Sequence, residues 1–381
     1  MTRTHFINGR VLTPDGEAHS LTMANGRIEA IDRAGSGETI DLEGGFLMPG
    51  FVDTQVNGGG GVLFNDAPTA ETISTIGEAH ARYGTTGFLP TLISDRLSVV
   101  DAGMRAVEGA IAAGVPGVLG IHIEGPFLSV EKKGIHNPAM FRTLDAEAKA
   151  LLKSLKRGRT MVTLAPETCT NEDIAELAEA GVIVSAGHTN ATYDQTKLAL
   201  AAGVTGFTHL FNAMSPLNHR APGVVGAALE DTDSYCGLIL DGHHVHPAAT
   251  RIALRCKGAE RLMLVTDAMP TVGAAVTSFQ LGEKTIRVLD GALMGEDGTL
   301  AGSHLDMAAA VRYAISTVGA GPAEAAIMAA TAPAGFLRLS ETLGALKVGL
   351  QADLVWLDDK FEVRGVWRCG HALSLPIATA A

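Results

Sequence analysis

Cysteine is scarce in this 381-residue chain: Cys169, Cys236, Cys256 and Cys369 stand far apart and form no Cys-x-x-Cys pair. That spacing argues against a disulfide framework or a thiolate metal site and suits free thiols in a reducing compartment. Positive charge is also short. With 29 Lys and Arg against 41 Asp and Glu, the formal net charge of −12 repels both nucleic acid and anionic membrane, so neither is expected as a partner. The same field repels a phosphorylated metabolite, which would need a local cationic pocket. No apolar run approaches membrane-spanning length, and the amino-terminal MTRTHFINGRVLTPDG has no apolar stretch of signal-peptide length. A soluble, cytoplasmic protein is expected. Charged residues at 18% fall below the usual quarter, while hydrophobic residues reach 46% and glycines number 45, the balance of a large α/β protein with buried strands and many tight turns. This length favours one sizeable domain plus a smaller one.

Residues 1 to about 48 read as a small β unit, in which Asn8-Gly9 and Asn25-Gly26 are tight-hairpin signals between short apolar runs. So short a unit has too little apolar surface to fold alone. The far end supplies the complement, since residues 343–368 again alternate as strands punctuated by Gly344, Gly349 and Gly365. Segments 1–48 and 343–381 are therefore expected to form one small β-sandwich, with 49–342 inserted between them. In the insert the pattern becomes strand, loop, helix, repeated. Strand candidates are 51–56, 86–92, 118–124, 160–167, 182–188, 206–211, 236–242 and 262–268. Helix ends are readable between them: Thr170-x-x-Asp173 opens a helix that stops at Gly181, another runs from near Asn190 to Gly203, and a third ends at Gly84. Eight alternating units specify a (β/α)₈ TIM-like barrel better than an open doubly wound sheet. The run NGGGG at 57–61 lacks both the G-x-G-x-x-G spacing and the later acidic residue of a dinucleotide site.

Polar residues at the strand ends carry the chemistry. In VLGIHIEGPF, alternation puts His122 and Glu124 on one face, and Gly125-Pro126 stops the strand directly after Glu124. Ligands and catalytic groups of parallel barrels sit at such carboxyl-terminal tips. A buried carboxylate needs a cation, a donor or a proton, so a structural arginine or backbone amides could satisfy Glu124 as well as a metal. A lone histidine ending an apolar strand is more often a hydrogen-bonded core residue than a ligand. Here His188 and His209 end consecutive strands, with Glu124 two strands earlier at the same face. Three N/O donors converging on one mouth compose a catalytic divalent site with a position left for water. Asp267, ending the eighth strand, either caps the following helix or serves as general base and then general acid in amide or ester hydrolysis. The basic loop Lys132-Lys133-Gly134-Ile135-His136 is on its own a weak signal. Asn212-Ala213-Met214 and Asn218-His219-Arg220 place amide and guanidinium donors above the same rim, and Arg220 suits either bidentate phosphate contact or a surface salt bridge.

Longer motifs run over essentially the whole chain: PGFVDTQVNGGGG, HIEGPFL followed by KKGIHNP, SAGHTNA, THLFNAM, LDGHHVHP, LVTDAM, LAGS and VGLQADLVWLD. In them the chain resembles the N-acetylglucosamine-6-phosphate deacetylase family of the amidohydrolase superfamily. The resemblance implies a barrel joined to a β-sandwich from both chain ends, and metal-dependent hydrolysis of the acetamide of N-acetyl-D-glucosamine 6-phosphate in amino-sugar catabolism. It places the metal ligands at Glu124, His188 and His209, the acid/base at Asp267 and the carbonyl-polarising imidazole at His244, with His246 outside that role. It places substrate contacts at Ile135, His136, Asn212, Ala213, Arg220 and the Leu300-Ala301-Gly302 turn. It also implies a homodimer in which Arg220 reaches the phosphate of the substrate bound by the partner subunit. One departure matters. Where many amidohydrolases carry His-x-His for a second metal, this chain has Gln55-Val56-Asn57, and neutral amides are poor zinc ligands. One divalent ion per subunit is expected, zinc first, with iron or another divalent ion compatible with the same donors. Alternative readings are an N-acetylgalactosamine 6-phosphate or N-acyl amino acid deacetylase and a non-catalytic sugar-phosphate-binding homologue. His122 is expected one layer deeper, in the core.

Overall fold

Eight parallel strands follow in chain order around one sheet: β1 (Phe51–Val56), β2 (Thr85–Ile93), β3 (Gly120–Glu124), β4 (Arg159–Leu164), β5 (Ile183–Ala186), β6 (Val204–Phe207), β7 (Tyr235–Leu238) and β8 (Leu262–Leu264). In this computed structural model, residues 3–33 and 35–373 are described; the final eight residues of the expected sandwich segment, 374–381, lie outside the described residues, as do 1, 2 and 34. Strands β1, β3 and β5 are buried at every position, as a parallel sheet covered by helices requires. The helices end where the sequence signals them. Thr170 and Thr192 form capping boxes with Asp173 and Gln195, and Gly203, at φ +124°, terminates helix Tyr193–Ala202. Among the described residues no helix is long and apolar enough to cross a membrane.

The seam between β1 and the segment after β8 is closed by backbone and side chain together. Asp267 donates its amide to the Gln55 carbonyl at 3.0 Å, and Asn57 donates to that of Ala268 at 2.9 Å. Beneath them the fully buried Asp53 accepts the Gln55 and Thr266 amides on Oδ1 and the Thr266 hydroxyl on Oδ2. Burial pushes the Asp53 carboxyl up to about 7 despite these donors. Asp53→Ala leaves the Gln55 and Thr266 amides without this acceptor and the Thr266 hydroxyl with only the Gln55 carbonyl at 3.4 Å, and is expected to cost about 3 kcal/mol in urea unfolding. A loss below about 1 kcal/mol would mean that the backbone pairs hold the seam unaided.

The glycine run after β1 is a packing device. A Cβ on Gly58 would sit 2.5 Å from the Val62 carbonyl oxygen, and one on Gly59 would sit 2.8 Å from His80 Nε2. His80 donates Nε2–H to the Gly58 carbonyl at 2.9 Å, and burial lowers its pKa to about 4, so it stays neutral there.

Strands from both chain ends share a six-stranded sheet in the spatial order His371–Ala372, Val363–Arg368, Leu354–Leu357, Phe46–Pro49, Arg10–Thr13, Gly16–Ala18. A four-stranded sheet from residues 3–41 packs against it, with Phe6 edge-on to Trp367 at 4.9 Å. Asn25-Gly26 makes the expected hairpin, both residues at positive φ. Asn8-Gly9 does not. Strand Arg3–Ile7 belongs to the four-stranded sheet and Arg10–Thr13 to the six-stranded one, so this pair is a corner between sheets. A Cβ on Gly9 would lie 2.6 Å from the Leu42 side chain, which explains the glycine by close approach.

A three-stranded antiparallel sheet, Ser278–Leu281, Lys284–Leu289 and Ala292–Met294, is inserted after β8 within the stretch expected to be barrel alone. Its Ile286 and Leu293 pack with Leu63, Met269 and Ala301, which sets the 295–302 loop beside the barrel mouth.

Candidate metal centre and catalytic cavity

The expected strands run through His188, His209 and Asp267, but the β-ladders stop at Ala186, Phe207 and Leu264. Each of these three candidate residues instead has positive φ, at 48°, 37° and 52°. Such backbone is unfavourable for non-glycine residues and persists only where surrounding structure holds it, typically at functional sites. Glu167, in the loop after β4, supplies part of that hold by accepting from the Thr189 hydroxyl and the Asn190 amide beside His188.

Glu124, at the tip of β3, meets the two imidazoles. Its Oε1 lies 2.9 Å from His209 Nε2 and 3.4 Å from His188 Nε2, and these nitrogens are 3.1 Å apart. His188 donates Nδ1–H to the Lys132 carbonyl at 2.8 Å, so its Nε2 presents a lone pair to the centre. His209 Nδ1 is buried without a partner among the described residues. Burial opposes ionisation of Glu124, but hydrogen bonds and charge from His188 and His209 outweigh it and hold the carboxyl well below its usual range. One ligand atom from each of the three residues lies within 4.8 Å of the others. Two imidazole nitrogens and a carboxylate facing a shared point fit a divalent cation.

Asp267 stands across the mouth. Asn57 Nδ2 donates to its Oδ1 at 2.6 Å, and Gln55 Nε2 bridges Asp267 Oδ1 and Glu124 Oε1, 3.1 Å from each. The amides read in sequence only as absent second-metal ligands are thus hydrogen-bond donors to both carboxylates. Burial, reinforced by the Glu124 charge, pushes the Asp267 carboxyl up to about 8. His136 accepts the Ser94 amide on Nδ1, which leaves the proton on Nε2, 3.9 Å from Glu124 Oε2; burial lowers its pKa to about 3. His122 lies in the layer beneath, between the Thr91 and Thr163 hydroxyls, and burial keeps it neutral with a pKa of about 4.

Asn57, Glu124, His136, His188, His209 and Asp267 line a cavity of about 360 Å³ that also takes in Ile135, Asn212, Ala213, His244, Leu300 and Gly302. The Ala301 side chain points instead into the apolar cluster with Met269. Arg220 stays outside the cavity, exposed on the turn bridged by Asn218 and Ala221. No lysine or arginine lines this cavity among the described residues. Ile239, Met269 and Thr299 line it without having been singled out by sequence, because nothing local in an apolar strand end or a hairpin loop marks them. Asp241 also escaped notice, although a carboxylate three residues before His244 was a readable signal; it holds His244 Nδ1 at 2.6 Å. A larger cavity of about 550 Å³ adjoins through Ile93, Ile135 and His136 and contains none of the three clustered donors.

A parallel barrel with a Glu-His-His cluster and an aspartate at its carboxyl end has the architecture of the amidohydrolases, and a sequence profile of the amidohydrolase family matches residues 46–373. The chain belongs to that family. An N-acetylgalactosamine-6-phosphate deacetylase of Shewanella sp. (strain ANA-3) is 47% identical over 332 residues, spanning 87% of this chain and 84% of that protein. The crystal structure of N-acetylglucosamine-6-phosphate deacetylase from Pasteurella multocida superposes with a TM-score of 0.94 at 36% identity, covering 98% of this chain and all of that one. An aspartate-to-alanine variant of the Mycobacterium smegmatis N-acetyl-D-glucosamine-6-phosphate deacetylase, in complex with N-acetyl-D-glucosamine-6-phosphate, matches at a TM-score of 0.91 and 34% identity, covering 98% and 99% of the two chains.

Proposed function

We propose that the chain hydrolyses the acetamide of N-acetyl-D-glucosamine 6-phosphate, giving D-glucosamine 6-phosphate and acetate. The observation that carries this reading is the position of Asp267, facing the Glu124, His188 and His209 cluster across one cavity large enough for a sugar phosphate. Glu124, His188 and His209 would hold one divalent ion, zinc first, and that ion would supply Lewis acidity for activating water and polarising the carbonyl. Asp267 takes the proton of the water as its oxygen attacks the acetamide carbon, and His244 donates a hydrogen bond to the developing oxyanion. Asp267 then returns the proton to the nitrogen as the C–N bond breaks. Asn57 and Gln55 keep the Asp267 carboxylate aimed during both transfers. The free thiols support a cytoplasmic setting.

The 47% identity to the Shewanella protein supports a second reading, in which the sugar is N-acetylgalactosamine 6-phosphate. Acetate release from both sugar phosphates decides between them by the ratio of kcat/KM, and release from neither contradicts the proposal.

With no Lys or Arg lining the cavity among the described residues, the phosphate needs a cation from elsewhere. Arg220 of a second copy in a homodimer meets that need. Arg220→Ala is expected to raise KM for the phosphorylated sugar by about 10- to 100-fold with kcat nearly unchanged, the loss of one charge-assisted contact. An unchanged KM removes Arg220 from the site.

A further inference from the structure

His244 reaches the cavity from the loop after β7, and its orientation is set by one residue with no role so far. The carboxylate of Asp241 accepts the backbone amides of His243 and His244 on Oδ1, both at 2.8 Å, and meets His244 Nδ1 with Oδ2 at 2.6 Å. Both side chains are 7% exposed, so water competes little for these bonds. Hydrogen bonds and charge from His244 outweigh burial and keep Asp241 below the usual carboxylate range, hence an acceptor only.

The tautomer follows. An ionised carboxylate at Nδ1 requires Nδ1–H, which leaves Nε2 as the ring nitrogen available to a bound substrate. A neutral ring held this way offers only a lone pair at Nε2 and cannot donate to an oxyanion. Only the imidazolium has N–H at both positions.

We infer that Asp241 is a positioning residue that fixes His244 with Nδ1–H inward and makes its imidazolium the form that serves the reaction. This rests on the amide-hydrolase reading above. The imidazolium donates from Nε2 to the oxyanion and keeps its proton throughout, so the proton taken from water by Asp267 is the one delivered to the amine. Asp241 balances the imidazolium charge beside the cation site, where an uncompensated positive charge would be repelled. A charged donor is roughly twice as strong as a neutral one, so the pair puts the stronger bond where negative charge develops.

Asp241→Asn separates this from a merely structural role. The two backbone N–H groups demand an oxygen, so the amide NH₂ turns toward Nδ1, which must then accept; the ring becomes neutral with its proton on Nε2. The expected result is a fall in kcat of about 10- to 100-fold with KM within about threefold. In a His244→Gln background, Asp241→Asn is expected to add less than about twofold, because its effect passes through the imidazole. Ring-¹⁵N spectra of the wild type are expected to show His244 protonated at both Nδ1 and Nε2, and those of Asp241→Asn at Nε2 alone. Asp241→Glu, which keeps a carboxylate, covers the case in which the asparagine variant does not fold, and is expected to retain the Nδ1–H signature. An equal loss in the His244→Gln background, or a neutral ring of either tautomer in the wild type, overturns the assignment. Absence of acetate release by the wild type defeats the hydrolase reading instead, and the ring-nitrogen spectra still judge the Asp241–His244 pair.

Discussion

Asp267→Asn is expected to lower kcat by about 10⁴-fold, because the proposed mechanism uses this one carboxylate as base in the first transfer and acid in the second. Metal content and KM should stay within a few-fold of wild type. The substitution keeps an oxygen for the Asn57 and Gln55 amides, which donate to Asp267 at 2.6 and 3.1 Å, and removes only the charge. Stability gives an independent check with a defined sign. In the metal-free chain the folded Asp267 carboxyl is raised to about 8 from 3.8, chiefly by burial and then by Glu124. The folded state therefore holds a proton that the unfolded state has released, and this residue makes stability fall as pH rises from about 4 to about 8. Asp267→Asn removes that contribution. A cation on the cluster pulls the carboxyl down again, so the acid limb of kcat/KM for the loaded enzyme should lie below pH 8 and steepen to tenfold per unit. Activity of Asp267→Asn within tenfold of wild type would move the acid/base role elsewhere.

Glu124→Gln should be nearly as damaging by another route. Glu124 is the one carboxylate in the cluster with His188 and His209, and removing its charge leaves the cation with three neutral donors. Metal affinity is expected to fall by orders of magnitude, with acetate release about 10³-fold below wild type at equal added metal. Glu124 is also the second cause of the raised Asp267 carboxyl, so in the metal-free variant that carboxyl should titrate lower than in metal-free wild type. Chelation should reproduce the loss of activity in the wild type and lower its Tm. An ion present at about 1,000 times its Kd contributes about 4 kcal/mol to stability. Glu124→Gln should show no such shift on chelation, and retention of stoichiometric tight metal by this variant would exclude the carboxylate as a ligand.

Much of the scaffold was legible because its signals are local. The threonine cap at Thr170 and the glycine stop at Gly203 bound their helices as read, Thr192 caps the second helix two residues past its expected start near Asn190, and apolar strand candidates carrying His188, His209 and Asp267 near their ends marked the mouth. What escaped depends on tertiary contact. Positive φ at those three residues has no composition signal, because non-glycine residues hold it only when loops such as the one fixed by Glu167 enforce it. Asn8-Gly9 carries the same dipeptide as a true hairpin, and the two are told apart by tertiary structure: the flanking strands join different sheets, and Leu42 and the Gly45 carbonyl crowd Gly9. The inserted sheet does have a turn signal, Asp290-Gly291 between short apolar runs, but the surrounding strand–helix alternation masks it. Gln55 and Asn57 were readable as a missing metal pair, whereas their grip on Asp267 and Glu124 exists only once β1 and the segment after β8 lie side by side.

The most direct test of a single-metal hydrolase is acetate release from N-acetyl-D-glucosamine 6-phosphate by metal-stripped protein titrated with zinc. Activity should rise linearly and level off at one ion per chain, with N-acetylgalactosamine 6-phosphate run in parallel as the competing sugar. A plateau only at two ions per chain, or full activity in the stripped protein, would contradict a mechanism built on Glu124, His188, His209 and Asp267.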